Sequence, residues 1–412
     1  MLAVLLALAI SAGCLQAQNR QPVQHREDLQ DLRIDVAYLS SDLLEGRETG
    51  TIGEQIAAQY IASRFAQTGL APGGDDGWFQ PFEFRHSPNP HAAGAEGKLR
   101  TGRNVVGMLD IGAARTVIVG AHYDHLGYGG AGSRQPGDSL IHNGADDNAS
   151  GVAALLEIAR QLRASDALSD NLVFVAFSGE ELGLYGSMHF VDHPATEIEN
   201  VNYMINLDMV GRLGKDRRIA VNGTGTSPAW DVVVDSAASS HDLFVTKHAS
   251  GLGPSDHASF YVREVPVLHL FTGQHNEYHM PDDDSHLIDY AGIRDIASFV
   301  VEVIRTLDGR PPLVFAPTSD EDEGQRTQFT VTLGVMPDYM SDVEGMRIDA
   351  VLDNRAADQA GLQRGDIIIR LGDVAVGDIN DYMEALSKFK DGDVTTVVAR
   401  RGDEIIERKV RF

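Results

Sequence analysis

The sequence predicts an α/β protein: a mostly parallel, mixed sheet with helices on both faces, followed by a small β-rich domain. Three observations carry this. Short β-branched runs such as Val117-Ile118-Val119 have the pattern of buried strands. They alternate with apolar residues spaced i, i+3, i+4, i+7, as at Val152, Leu155, Leu156 and Ala159, which is helical spacing. Such alternation builds parallel sheets covered by helices. The pattern then breaks at residues 308–328, where Pro311, Pro312 and Pro317 precede Asp320-Glu321-Asp322-Glu323. That composition reads as a linker.

Residues 1–17 are apolar, then small, and too short to span a bilayer; they predict a signal peptide cleaved after Ala17. A lipoprotein anchored at Cys14, or a buried N-terminal helix, is the alternative. The protein is therefore expected to be exported, periplasmic or extracellular, with no membrane span. Residues 19–50 are polar and helical in part. Residues 51–69 predict an amphipathic helix whose apolar face is Ile56, Tyr60, Ile61 and Phe65, stopped by Gly69. Residues 71–103 read as loop and edge strand, and Asn104–Asp110 as a strand. A strand from Thr116 leads into a helix over 149–163, for which Asn148 and Ser150 are suitable caps. Further strands are expected at Leu172–Phe177, Val201–Leu207, Leu243–Thr246 and Val267–Phe271. A helix through Ile293, Ile296, Val300 and Leu307 closes the first domain, 26–307.

At 412 residues with 43% apolar content the chain has material for two or three cored domains. Its net charge of −26 argues against nucleic-acid and anionic-lipid partners. It mildly favours cationic substrates such as a free amine. Cys14 is the only cysteine, so a metal site must use histidine and carboxylates.

Such residues cluster just after strands. His122 and Asp124 follow the first strand on one face, with His125 pointing the other way. Asp146 and Asp147 lie on the glycine-rich turn before the helix. Glu180/Glu181 and Asp208 end the next two strands, and His279 sits in a later loop. Carboxylates and histidine at strand ends are where open α/β sheets keep their sites. Divalent metals take such N/O donors. Each residue also has a plain structural reading: a helix cap for Asp146/Asp147, a solvated turn for Glu180/Glu181, a loop histidine for His125, His142, His275 and His286.

The ordered motifs GAHYDH, GADDNASG, FSGEELGLYGS, NLDMVG and EYHMPDDD resemble the two-zinc exopeptidases. That family includes secreted bacterial leucine aminopeptidases, plasma glutamate carboxypeptidase and, more distantly, glutaminyl cyclases. The segment LSSDLLEGR at 39–47 is similar to the family's N-terminal region. The resemblance implies two zinc ions, one held by His122, Asp147 and Asp208, the other by Asp147, Glu181 and His279. It implies Glu180 as the general base, and Asp124 as acceptor of the second ring N–H of His122. Asp146 is the turn residue, with an exchange of roles between Asp146 and Asp147 as the alternative. Ser255-Asp256-His257 resembles a family segment near the substrate pocket; a helix cap with a structural histidine is the rival reading.

Residues 329–412 resemble a PDZ domain of the circularly permuted bacterial kind. Its most telling run is NRAADQAGL at 354–362 followed by RGDIII at 364–369. Short β runs are expected at Gln328–Val335, Arg347–Val351, Asp366–Leu371 and Thr395–Arg400, with a helix from Asp378 to Phe389. Thr332 with Leu333, Gly334 and Val335 would form the loop that takes a peptide's terminal carboxylate. The function implied is an aminopeptidase on short peptides, with a C-terminal peptide as possible PDZ ligand. A dipeptidase or carboxypeptidase, or a PDZ-led binding protein with an inactive peptidase domain, are the alternatives.

Overall fold

Two sheets, each with its own core, organise the chain. The computed structural model describes residues 21–86, 97–130, 132–135, 139–164, 168–318, 331–337, 343–351, 355–377, 379–390, 392–402 and 404–412. The expected signal peptide with Cys14 and Ala17, the acidic run 320–323, Asn354 and Asp378 lie outside them.

The first unit opens with α1 (Gln21–Leu39) and α2 (Ile52–Thr68), then β1 (Ala71–Pro72), β2 (Phe79–His86) and β3 (Lys98–Leu109). β4 (Thr116–His122), α3 (Gly151–Arg163), β5 (Asn171–Phe177), α4 (Tyr185–Asp192) and β6 (Val201–Leu207) form its centre. β7 (Arg218–Asn222), α5 (Trp230–Ser240), β8 (Phe244–His248), α6 (His257–Tyr261), β9 (Val267–Phe271) and α7 (Tyr290–Leu307) complete it. The strand order is β1-β3-β5-β4-β6-β9-β7-β8, with β2 paired to β3. The four central strands, β5-β4-β6-β9, run parallel. Antiparallel pairs flank them, β3 against β5 and β7 against β9, so the sheet is mixed. β4 and β6 are buried along their whole length, which is why they read as continuous apolar runs rather than alternating ones. Side chains of α1, α2, α3, α5 and α7 pack on one face with Val117, Val119 and Ile205. Those of α4 and α6 pack on the other with Ile118, Val175 and Met204.

Some expectations need correction. The buried stripe of α2 is Ala57, Ala58, Ile61, Ala62 and Phe65; Ile56 lies off it, 40% exposed. Small alanines carry this face, and size alone misdirects the eye to isoleucine. Gly69 does end the helix, in the left-handed region at φ +83°. β3 begins at Lys98, not Asn104, because it extends as a hairpin with β2 through polar residues that carry no burial pattern. β7 was not foreseen; only Ile219, Ala220 and Val221 of it are fully buried. The expected linker is fastened over the part that is described, residues 308–318. The Leu313 N–H donates to Asn202 Oδ1 at 2.8 Å, and the Thr318 hydroxyl meets Tyr261 Oη at 2.9 Å.

The second unit holds β10 (Val335–Pro337), β11 (Met346–Val351), α8 (Ala356–Gln359), β12 (Ile367–Leu371), β13 (Val374–Ala375), α9 (Ile379–Ser387), β14 (Val394–Arg401) and β15 (Glu404–Arg411). The order β10-β11-β12-β14-β15 leaves β10 at an edge. Leu333, Ile348, Ile368, Leu371, Leu386 and Val397 fill its core.

Candidate metal centre

The carboxyl ends of three neighbouring parallel strands converge. β4 ends on His122, β5 leads into Ser178–Glu181, and β6 into Asp208. Between β4 and α3 the chain makes an irregular turn, Ala145–Ser150, that carries Asp147 inward. Gly179, at φ +78°, turns the chain so that the adjacent Glu180 and Glu181 both reach the same cleft.

His122 Nε2 lies 3.3 Å from Asp147 Oδ1 and 3.3 Å from Asp208 Oδ1. His279 Nε2 lies 3.2 Å from Asp147 Oδ2 and 3.4 Å from Glu181 Oε2. Ligands bound tetrahedrally at zinc distances sit about 3.3 Å from one another. Asp147 thus offers one oxygen to each of two donor sets, the bridging arrangement that paired metals require. Each histidine has its other nitrogen engaged: His122 Nδ1 is 3.2 Å from the Asp124 carbonyl, and His279 Nδ1 2.8 Å from the Gly132 carbonyl. Nε2 is left to face the cluster in both rings.

The electrostatics fit a cation site. Burial, together with Asp208, Glu181 and Asp256, pushes the Glu180 carboxyl well above its usual range. Burial lifts Asp124 to about 6 and Asp256 to about 7. Burial opposes a charge on His279, but Glu181 and Asp147 outweigh it and lift the ring to about 9. His122 is likewise raised, by Glu180 and Asp208 against burial. His122 and His279 are thus the groups favoured as cations against these carboxylates, a charge that divalent metals would replace if bound.

The other predicted residues are placed as follows. The Asp124 carboxylate is 3.8 Å from His122 Nδ1, too long for a hydrogen bond, and the nearer contact to that ring is its own carbonyl. The carboxylate instead accepts from Thr49 Oγ1 at 2.9 Å and from the Glu180 N–H at 3.2 Å. Asp146 points away from the cluster, accepting from Ser150 Oγ and the Gly211 N–H, with His275 beside it at 3.2 Å. Ser255 lines the cleft and donates to Asp208 Oδ2 at 2.7 Å. Asp256 makes no capping bond, and burial keeps His257 and His269, stacked at 4.4 Å, uncharged. In the second unit the Leu333 side chain is fully buried in the core, and the Gly334 N–H is taken by Thr332 Oγ1 at 3.0 Å.

The engagement of six residues around this site was missed. His125 lies in a loop, as expected, but its ring is engaged: beyond His122 the chain leaves the strand, alternation lapses, and the ring turns to Glu181 at 2.7 Å. His142 and His275 are also engaged, with Ser133 and Asp146. Asp283 accepts the N–H groups of both Asp146 and Asp147, at 2.9 and 3.0 Å, and holds the bridging turn. Thr49 holds Asp124. Arg47, 1% exposed, donates to the carbonyls of Leu39, Tyr123, Asn143 and Gly144, behind the site. The run DLLEGRETGT at 42–51 was the available signal; a charged residue inside it suggests a surface, not a clamp. The cleft itself has a volume of about 430 Å³ and an apolar wall formed by Leu184, Met209, Phe271 and Tyr278.

Residues 104–304 match the model of Peptidase family M28, and residues 323–411 that of the PDZ domain. The aminopeptidase YwaD of Bacillus subtilis is 27% identical over 216 residues, 50% of this chain and 44% of its own length. The chain thus spans less than half of that relative. The zinc aminopeptidase BSAP of Bacillus subtilis superposes with a TM-score of 0.55 at 20% identity, covering 68% of this chain and 95% of that one. Porphyromonas gingivalis glutaminyl cyclase superposes with a TM-score of 0.56 at 18% identity, covering 68% and 98%. At these identities the superpositions establish the fold.

Proposed function

Starting from a chain that carries a Peptidase family M28 domain followed by a PDZ domain, we propose a two-zinc exopeptidase, an aminopeptidase that removes N-terminal residues from peptides. The observation that carries this reading is Asp147, with one oxygen in each of two complete donor sets. His122, Asp147 and Asp208 would hold one ion; Asp147, Glu181 and His279 the other. Bound zinc would polarise the scissile carbonyl and acidify the attacking water.

The chain's own residues do the rest. Glu180 lines the cleft beside both donor sets and accepts the proton of the attacking water, then returns it to the leaving amine. Asp124 fixes that residue's backbone through the Glu180 N–H, and Thr49 fixes Asp124. The acidic cleft receives the substrate's free α-amine, and its apolar wall receives the N-terminal side chain. The PDZ unit takes a peptide C-terminus along the β10 edge, beside α9. The apolar stretch at residues 1–17 supports export. Among the described residues no helix is long and apolar enough to cross a membrane.

The test is metal content of the purified protein alongside hydrolysis of free and N-blocked aminoacyl substrates, with and without chelator. Two zincs, chelator-sensitive turnover and rejection of blocked substrates support the aminopeptidase. Bound metal without turnover of the free aminoacyl substrates supports a dipeptidase or carboxypeptidase. Cyclisation of N-terminal glutamine without hydrolysis supports the cyclase chemistry named for one structural neighbour.

A further inference from the structure

We infer that His125 is a positioning residue for Glu181: its Nδ1–H donates to Glu181 Oε1 and so presents Oε2 to the second metal. This rests on the two-metal reading above. His125, Asp147 and Glu181 lie close enough to share an ion, so His125 has two competing roles, ligand or donor. The distances separate them. Donor atoms around one ion keep the 3.2–3.4 Å spacing seen for His122 and His279. His125 Nδ1 is 2.7 Å from Glu181 Oε1, the length of a charge-assisted hydrogen bond and too short for two ligands of one ion. To Asp147 Oδ2 it is 3.8 Å, outside bonding reach. Glu181 is therefore split, Oε1 toward His125 and Oε2 toward His279 at 3.4 Å.

The ring is built into this pose. Its backbone N–H donates to the Arg47 carbonyl at 3.3 Å. Its edge lies against Gly144, where an added Cβ would come within 2.6 Å of the ring carbons. Gly144, at φ +55°, is thus the residue that leaves the ring its space. Nε2 is buried and makes no hydrogen bond among the described residues, so Nδ1 is the nitrogen that the ring offers to a partner. Without the donor, Glu181 Oε1 would be a largely buried carboxylate oxygen with one contact fewer, free to rotate away from His279.

The test is stepwise zinc binding to metal-free full-length protein, by competition with a chromophoric chelator, for wild type, His125→Ala and His125→Asn. X-ray absorption of the zinc-loaded wild type accompanies it. Asparagine places an amide donor where Nδ1 stood but supplies no imidazole. We expect His125→Ala still to bind two zincs at saturation, the weaker one roughly 10- to 100-fold less tightly and the other unchanged. His125→Asn restores most of the loss, and the absorption spectrum shows two imidazoles shared by two zincs. A saturating stoichiometry of one for His125→Ala, failure of asparagine to restore, or three imidazoles in wild type would overturn the inference in favour of a ligand. Unchanged affinity in His125→Ala would overturn it in favour of packing alone. Should the alanine variant not fold, the wild-type spectrum and the asparagine variant still decide. A wild type holding fewer than two zincs would instead sink the two-metal reading on which the inference stands.

Discussion

The two halves of the proposed metal centre are made differently. His122 and Asp208 sit at the ends of β4 and β6, parallel neighbours whose hydrogen-bonded register continues to Gly120 and Asn206. Glu181 and His279 come from loops: the turn that follows Gly179, and a segment where His279 itself has φ +55°. The sheet aligns the first pair through the register that also makes the core. The second pair depends on separate polar contacts, from Gly132 to His279 and from His125 to Glu181. One half inherits its geometry; the other must be assembled.

The bridge between the halves gives the largest effect. Asp147→Asn removes charge from both donor sets, and metal analysis should find less than one zinc per chain with turnover at background. Retention of two zincs would break the bridging assignment. Next is Glu180→Gln, which should keep both zincs yet lower kcat about 10²- to 10⁴-fold. A variant with two zincs and full turnover would remove Glu180 from the mechanism.

His279→Ala and His122→Ala sharpen the comparison directly. Each should lose one zinc, but only His122→Ala should also raise solvent exchange of nearby sheet amides, read by hydrogen exchange in metal-free protein. Equal exchange in the two variants would mean that both halves are built alike.

The pH dependence of the metal-free fold comes next. His279 at about 9, Asp256 and Glu54 at about 7 and Asp124 at about 6 all bind protons more tightly folded than unfolded. His257 and His269, kept uncharged by burial, act in the opposite sense between about pH 4 and 6.5, so the net fall in stability is expected above that range, as pH rises from about 7 through 9. Asp147 and Asp208, held below the usual range by the histidines, act in the opposite sense only below about pH 4. Denaturant midpoints without zinc should be lower at pH 9 than at pH 7, and zinc should reverse the order. A midpoint that rises with pH in the absence of zinc would contradict it. The smallest change is Thr49→Val. It removes one buried hydrogen bond to Asp124 and should cost about 1 kcal/mol in denaturant titration, with both zincs retained.

The sheet and the five proposed ligands were legible for one reason: each of these residues follows a strand or motif whose spacing survives in the linear text. His122, Asp208 and the Glu180-Glu181 pair come straight after apolar runs. What was illegible depends on contacts between distant segments. Asp283 stands 136 residues from the Asp147 N–H it accepts, and no local pattern marks an acidic residue in PDDD as a backbone acceptor. His125 was misjudged because strand alternation was extended past the strand's last residue. Ile56 was misjudged because a face of alanines is weakly apolar in text yet ideal for close packing. Arg47 was passed over because a lone arginine in a polar run is ordinarily solvated, and only the fold supplies four carbonyls around it.

Arg47 also bears on the order of events when the chain folds. Its guanidinium gathers carbonyls from Leu39, Tyr123, Asn143 and Gly144, the last two 96 and 97 residues away. The glycine-rich turn cannot settle until the N-terminal segment has returned to β4, and the His279 loop closes over that turn through Asp283. Closures of such long range are slow steps. The candidate metal pocket should therefore form more slowly than the helices and the β2–β3 hairpin of the first unit, whose contacts are local.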